Sequence, residues 1–186
     1  MERALHSTKI LAISGSLRAA SLNTALLRAV ACLAPVDISV ELFGDLGNLP
    51  LFNPDLEAID PPVVASFRAQ LLAADAVLIA SPEYAHGITG AMKNALDWMV
   101  GCEAFVNKPV ALLNASGRAT HAQESLKEIV TVMAARVIDE ASITVPILGS
   151  CLDEAGIISH ASISSALREA LRALQAAVIR FRAETP

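Results

Sequence analysis

Three short polar segments hold most of the residues that could do chemistry in this chain. The first, Ser14-Gly15-Ser16-Leu17-Arg18-Ala19-Ala20-Ser21-Leu22-Asn23-Thr24, runs into a stretch of helical spacing. A helix start offers unpaired backbone N–H groups and a partial positive charge. With the hydroxyls of Ser16 and Ser21, the Asn23 amide and the Arg18 guanidinium added, the segment reads as a phosphate site. A capped helix, with Ser21 at the N-cap and Arg18 solvated, would use the same residues. The segment matches neither the Gly-Lys-Ser/Thr phosphate loop nor the GxGxxG dinucleotide fingerprint. That points to a mononucleotide phosphate, with other phosphates still open.

The second segment is Ser81-Pro82-Glu83-Tyr84-Ala85-His86-Gly87-Ile88-Thr89-Gly90, followed by Ala91-Met92-Lys93-Asn94-Ala95-Leu96-Asp97-Trp98. Proline and two glycines hold an irregular backbone that can present N–H and C=O groups to a planar polar ring. The one tyrosine, Tyr84, and the one tryptophan, Trp98, both lie here. Tyr84 could instead pack half-buried; Trp98 reads as core or interface, and Lys93 with Asp97 as a surface pair. The third segment, Asn114-Ala115-Ser116-Gly117-Arg118-Ala119-Thr120-His121, also enters a helix and suits hydrogen bonding to a ligand edge. His86 and His121 could lie near one site, yet each reads as a loop residue rather than a general base. No G-x-S-x-G elbow is present, and the chain order supplies no third partner, so hydrolysis is rejected. A phosphoryl-receiver domain is rejected too, because Ser14-Gly15-Ser16 and Ser81-Pro82 stand where acidic residues would be needed.

The elements that must position these segments follow from apolar spacing. Ile10 to Ile13, Ala76 to Ala80 and Val110 to Leu113 are apolar at consecutive positions, as strands covered on both faces must be. Asp37 to Leu42 alternates, as a strand exposed on one side does. The stretch 142–147 also alternates and contains Pro146, which predicts an edge strand. Helical stripes join Leu22, Leu26, Ala29, Val30 and Leu33, and likewise Leu126, Ile129, Val130 and Met133. A last stripe runs from Ile163 through Leu167, Ala170, Leu171 and Leu174 to Val178, and further helices are expected near 63–74 and 90–99. Strand and helix alternate throughout, so the fold class is α/β with helices on both faces of a parallel sheet. Strands one, three and four look central, whereas two and five look like edges. Of the common doubly wound arrangements, only the flavodoxin-like order 2-1-3-4-5 satisfies that. Ligands of such sheets sit beyond the carboxyl ends of the strands, where all three polar segments fall.

Composition narrows the function classes. The 186 residues are 54% hydrophobic and 18% charged, which excludes disorder and predicts one domain over 1–186. Fourteen basic against nineteen acidic residues give a net charge of −5, which argues against nucleic acid and anionic membrane as partners. No apolar run spans a bilayer, and the first six residues lack the order of a signal peptide. Cys32, Cys102 and Cys151 form no CxxC pair, so neither a disulfide framework nor a metal site is expected, and a reduced cytoplasm is. A mean hydropathy of +0.51 suggests a subunit interface besides a deep core.

Gly15-Ser16-Leu17-Arg18 with Ser21 and Asn23, then Pro82-Glu83-Tyr84 and Gly90 through Lys93-Asn94-Ala95-Leu96-Asp97-Trp98, resemble the NAD(P)H-dependent FMN reductase family. The similarity runs from the first strand to the last helix. It implies a flavodoxin-like FMN-binding domain, a homodimer or homotetramer, that takes a hydride from NADPH or NADH and passes two electrons to a quinone, free flavin or similar small acceptor. By that resemblance Ser16, Arg18, Ser21 and Asn23 bind the FMN phosphate. Pro82, Glu83, Tyr84 and His86 flank the isoalloxazine, and Ser116 and Gly117 meet its pyrimidine edge. No side chain need act as nucleophile or base, because the cofactor carries the chemistry. The stretch 49–55, within a long connection from 43 to 60, resembles the family's loop against the neighbouring subunit. Two positions depart from the pattern: Ala85-His86 stands where many members carry Asn first, and Thr89-Gly90 where many carry Pro-Gly. The competing readings are a flavodoxin-like electron carrier that does not oxidise NAD(P)H, and a scaffold that has lost its flavin.

Overall fold

The computed structural model describes residues 7–150 and 152–184, so residues 1–6, Cys151 and residues 185–186 lie outside the described residues. Its strands are β1 (Thr8–Ser14), β2 (Ile38–Leu42), β3 (Ala76–Ala80), β4 (Pro109–Leu113) and β5 (Arg136–Val137). All pair in parallel, in the order β2-β1-β3-β4-β5. The helices are α1 (Leu22–Leu33), α2 (Pro62–Ala73), α3 (Gly90–Asp97), α4 (Thr120–Val132), α5 (Glu154–Ser159) and α6 (Ala161–Glu184).

Pleating divides the apolar strands between two cores. Ile10 and Ala12 of β1 join Leu26 and Leu27 of α1 and Leu167 and Leu171 of α6. Leu11 and Ile13 face the other way, with Phe67 and Leu71 of α2, Met92 and Leu96 of α3, and Leu126 of α4. Every residue of β3 and β4 is buried, as a central strand covered by helices on both faces requires.

The fifth strand differs from expectation. It lies at Arg136–Val137 rather than 142–147, and pairs Pro109 with Arg136 and Val110 with Val137. A single turn of 3-10 helix, Asp139–Ala141, then interrupts the edge. There the Ser142 hydroxyl stands in for the ladder, accepting from Leu112 N–H at 3.0 Å and donating to Ile138 C=O at 2.8 Å. Beyond it the edge continues as an isolated parallel bridge, Asn114 with Thr144. Past Pro146, Ile147 N–H still donates to the β4 side, to Ala115 C=O at 3.2 Å. Helix α5 was not legible from apolar spacing; Asp153 caps it by accepting from Gly156 N–H at 2.8 Å.

The long α6 is tied to the N-terminal end of the sheet through Asp37. Arg172 donates to Asp37 Oδ2 at 2.8 Å and Gln175 Nε2 donates to the same oxygen at 3.0 Å. These bonds, that from Arg172 foremost, hold the carboxyl below the usual aspartate range. A carboxylate so lowered stabilises the fold above its ordinary range, and that contribution is lost as pH falls through the lower folded-state value. Asp37→Asn should therefore reduce the urea midpoint at neutral pH, with the gap from wild type closing in acid. A gap that persists below the titration of Asp37 would show that packing, not charge, is involved.

The connection from 43 to 60 is ordered by α3. Asn94 accepts from Phe52 N–H at 2.7 Å and donates to Pro50 C=O at 2.9 Å. Trp98, buried as expected, donates its indole N–H to the same carbonyl at 2.8 Å and meets Phe52 edge-on at 5.2 Å. Lys93 and Asp97 form the anticipated surface ion pair.

Candidate active site

The loops after β1, β3 and β4 meet in a cleft of about 360 Å³ beyond the carboxyl ends of the central strands. Its wall includes Ser16, Arg18, Ser21, Asn23, Pro82, Glu83, Tyr84 and Ser116. Of the residues singled out from sequence, His86 and Gly117 do not line it. Ser81, Asn114, Arg118 and Leu148 do as well, the first three falling within the polar segments without individual contacts assigned to them. Arg118 had a signal, a second guanidinium in a small-polar loop. Leu148 had none, because its loop is brought over the cleft only by the interrupted edge strand.

The β1 loop is built to receive an anion. Ser21 caps α1, its Oγ accepting from Thr24 N–H at 3.2 Å, and Ser16 Oγ accepts from Arg18 N–H at 3.4 Å. Each hydroxyl thus spends a lone pair on the backbone and keeps its own proton to donate. The amides of Leu22 and Asn23 stand at the first two helical positions, before any intrahelical acceptor is available. Asn23 Oδ1 is buried with no hydrogen-bond partner, an arrangement that costs roughly 1–3 kcal/mol until a ligand donor meets it. Neither Arg18 nor Arg118 has an ion-pair partner among the described residues. Against the one carboxylate that the described residues place on the cleft, that of Glu83, two guanidinium groups leave a net positive charge there in a chain of net charge −5.

The loops are braced against one another. Gly15 packs so closely on the β3 loop that a Cβ there would sit 2.2 Å from Ser81 Oγ. Thr89 donates its hydroxyl to Gly15 C=O at 2.6 Å and caps α3 by accepting from Met92 N–H at 3.1 Å. Thr89→Val should cost about 1–2 kcal/mol, since it strips a helix cap and orphans a buried carbonyl. Urea denaturation checks this, with Thr89→Ser expected to keep most of the loss from appearing. Across the cleft, Ala122 N–H donates to Glu83 Oε2 at 2.9 Å, so the Glu83 carboxylate caps α4. Asn114 closes the β4 loop by accepting from Ser116 N–H at 2.9 Å and donating to Ala119 C=O at 3.0 Å. Tyr84 is 55% exposed, not half-buried packing, and His86 stacks on His121 at 4.3 Å.

A second hollow, about 450 Å³, opens at the opposite end of the sheet. Its Arg182 and Arg136 are paired with Asp75 and Glu184, so their charges are already neutralised.

The model of the NADPH-dependent FMN reductases matches residues 8–147, from β1 past the last strand pairing and through the cleft loops after β1, β3 and β4. The chain belongs to that family. It is 36% identical over 180 residues to an NAD(P)H-dependent FMN reductase of Pseudomonas aeruginosa, covering 94% of this chain and 97% of that protein. It is 33% identical over 184 residues to an NADPH:quinone oxidoreductase of Arabidopsis thaliana, covering 94% and 93%. Among solved structures, the flavoenzyme NAD(P)H:(acceptor) oxidoreductase FerB of Paracoccus denitrificans superimposes with a TM-score of 0.79 at 25% identity, covering 90% of this chain and 96% of that one.

Proposed function

We propose that this FMN reductase family member is an NAD(P)H-dependent oxidoreductase whose cleft binds FMN and whose acceptors are quinones, free flavin or similar small molecules. The observation that carries the reading is the β1 loop: free hydroxyl protons, unclaimed amides, an unpaired guanidinium and an orphaned amide oxygen on one wall. Phosphate suits the first three, and the hydroxyls of a ribityl chain suit Asn23 Oδ1. When bound, FMN would supply hydride acceptance from NADPH or NADH and two-electron delivery to the acceptor.

The chain's own work is binding, orientation and charge stabilisation. Ser16, Arg18, Ser21 and Asn23 hold the phosphate end. Pro82, Tyr84 and the turn through His86 flank the ring, with Glu83 contributing its backbone because its carboxylate serves α4. Ser116 and Gly117 meet the pyrimidine edge. The N–H groups of Glu83 and Gly117 donate to no acceptor among the described residues, which leaves them free for negative charge on the reduced ring. No helix among the described residues is long and apolar enough to cross a membrane. We place the protein in the cytoplasm as a single-domain homodimer or homotetramer, in keeping with exposed Leu51 on the connection anchored to α3.

The test is direct. The protein is reconstituted with FMN, freed of excess, and its visible spectrum recorded before and after anaerobic NADPH and NADH. Retained flavin bands that bleach with either nucleotide bear the proposal out. Bands that persist favour an electron carrier, and absence of retained flavin removes the site assignment.

A further inference from the structure

The turn that presents Tyr84 holds two residues in a backbone conformation that side chains disfavour. Ala85 and His86 lie at φ 50° and 59°. Reciprocal hydrogen bonds between Tyr84 and Gly87, 3.0 Å each way, close the turn around them. Successive left-handed residues are what a primed two-residue turn requires, and asparagine and glycine meet that requirement most easily. Histidine tolerates that region better than most residues, but alanine meets it with strain, which persists only where the surroundings over-determine it.

Two contacts do so here, and both reach the first turn of α4. Glu83, just before Tyr84, accepts from Ala122 N–H at 2.9 Å. His86, just after the turn's apex, lays its ring on that of His121, with centroids 4.3 Å apart and planes 23° from parallel. The turn is therefore fastened on both sides of Tyr84, which lines the cleft while more than half exposed.

We propose that His121 is a positioning residue: its ring face holds His86 and, through the strained turn, sets Tyr84 against the ring side of the cleft. The proposal rests on the FMN reading above. His121 does not line the cleft, and neither acid nor base is asked of it; the flat face is what matters. An aromatic ring of similar shape should serve in its place. Asparagine at position 85, at ease in the left-handed region, should let the turn hold itself and lessen the need for His121.

The experiment measures FMN dissociation constants, emission of the bound flavin, and acceptor KM and kcat. It compares wild type with His121→Ala, His121→Phe, Ala85→Asn and the Ala85→Asn/His121→Ala pair. His121→Ala should weaken FMN binding about tenfold, and the pair should recover most of that loss, a non-additivity that marks energetic coupling. His121→Phe should stay within about twofold of wild type, since stacking is retained. In His121→Ala the bound flavin should brighten, because Tyr84 no longer quenches it by contact, and acceptor KM should rise more than kcat falls. If His121→Ala does not fold, His121→Leu, which keeps bulk without a flat face, takes its place with the same expectations. Wild-type affinity and emission in the Ala or Leu variant would overturn the proposal. So would a Phe variant as weak as Ala, or additive effects in the pair. A wild-type chain that binds no FMN would defeat the cofactor reading itself, whereas tight wild-type binding unchanged in every variant would defeat this proposal alone.

Discussion

Arg18→Ala is expected to weaken FMN binding by about one to two decades, the effect of losing one charge-assisted hydrogen bond worth roughly 1.5–3 kcal/mol. Arg18 lines the cleft beside the start of α1 and has no carboxylate partner among the described residues, so its removal uncovers no buried charge. The loss should therefore appear in binding and not in folding. Arg18→Lys should recover part of it, because an ammonium keeps the charge and forfeits the fork of parallel donors. Raising the salt concentration should narrow the gap between wild type and Ala, since this guanidinium is solvent-exposed. Fluorescence titration with FMN reads all three. Unchanged affinity in Arg18→Ala would remove Arg18 from the site.

Gly15→Ala should damage both stability and binding. The added Cβ would lie 2.2 Å from Ser81 Oγ, 2.7 Å from Ser81 Cβ and 3.1 Å from Ser81 Cα. A hydroxyl can rotate away, but the Cβ and backbone cannot, so the β1 and β3 loops must part. Overpacking of this kind costs about 1–3 kcal/mol. Parting the loops also strains the 2.6 Å bond from Thr89 to Gly15 C=O, which aligns the β1 loop with the cap of α3. A lower urea midpoint and weaker FMN binding should appear together. Adding Ser81→Gly to Gly15→Ala removes the clashing side chain and should restore part of both. If the double variant recovers neither, the contact with Ser81 is not the cause.

Much of the site was readable because its residues are local in sequence. Ser16, Arg18, Ser21 and Asn23 fall within eight positions ahead of an apolar helical stripe, and a helix start fixes what such a cluster faces. Glu83 was not readable in the same way. Its carboxylate looked like part of a ring-binding loop, yet it caps a helix thirty-nine residues away. The stack of His86 on His121 is also long-range: the strand order brings both histidines near one site, but the contact of their rings leaves no trace in spacing. The left-handed turn beneath it is hidden too, since alanine and histidine are not the residues such a turn advertises.

The sequence by itself determined the layer architecture and the strand order of this protein. Consecutive apolar residues in β1, β3 and β4 can be satisfied only in a sheet covered on both faces, and the alternation in β2 requires an edge. That order in turn dictated where the three polar loops converge. Only the tertiary structure decided where the fifth strand lies, how the loops brace one another and which side chains are left with unclaimed hydrogen bonds. The physical reason is the range of the interactions. Periodicity reports the burial of a whole face, averaged over several residues. A hydroxyl that replaces a ladder bond at Ser142, or an amide oxygen left unpaired at Asn23, depends on single contacts that exist only once distant segments have been packed together.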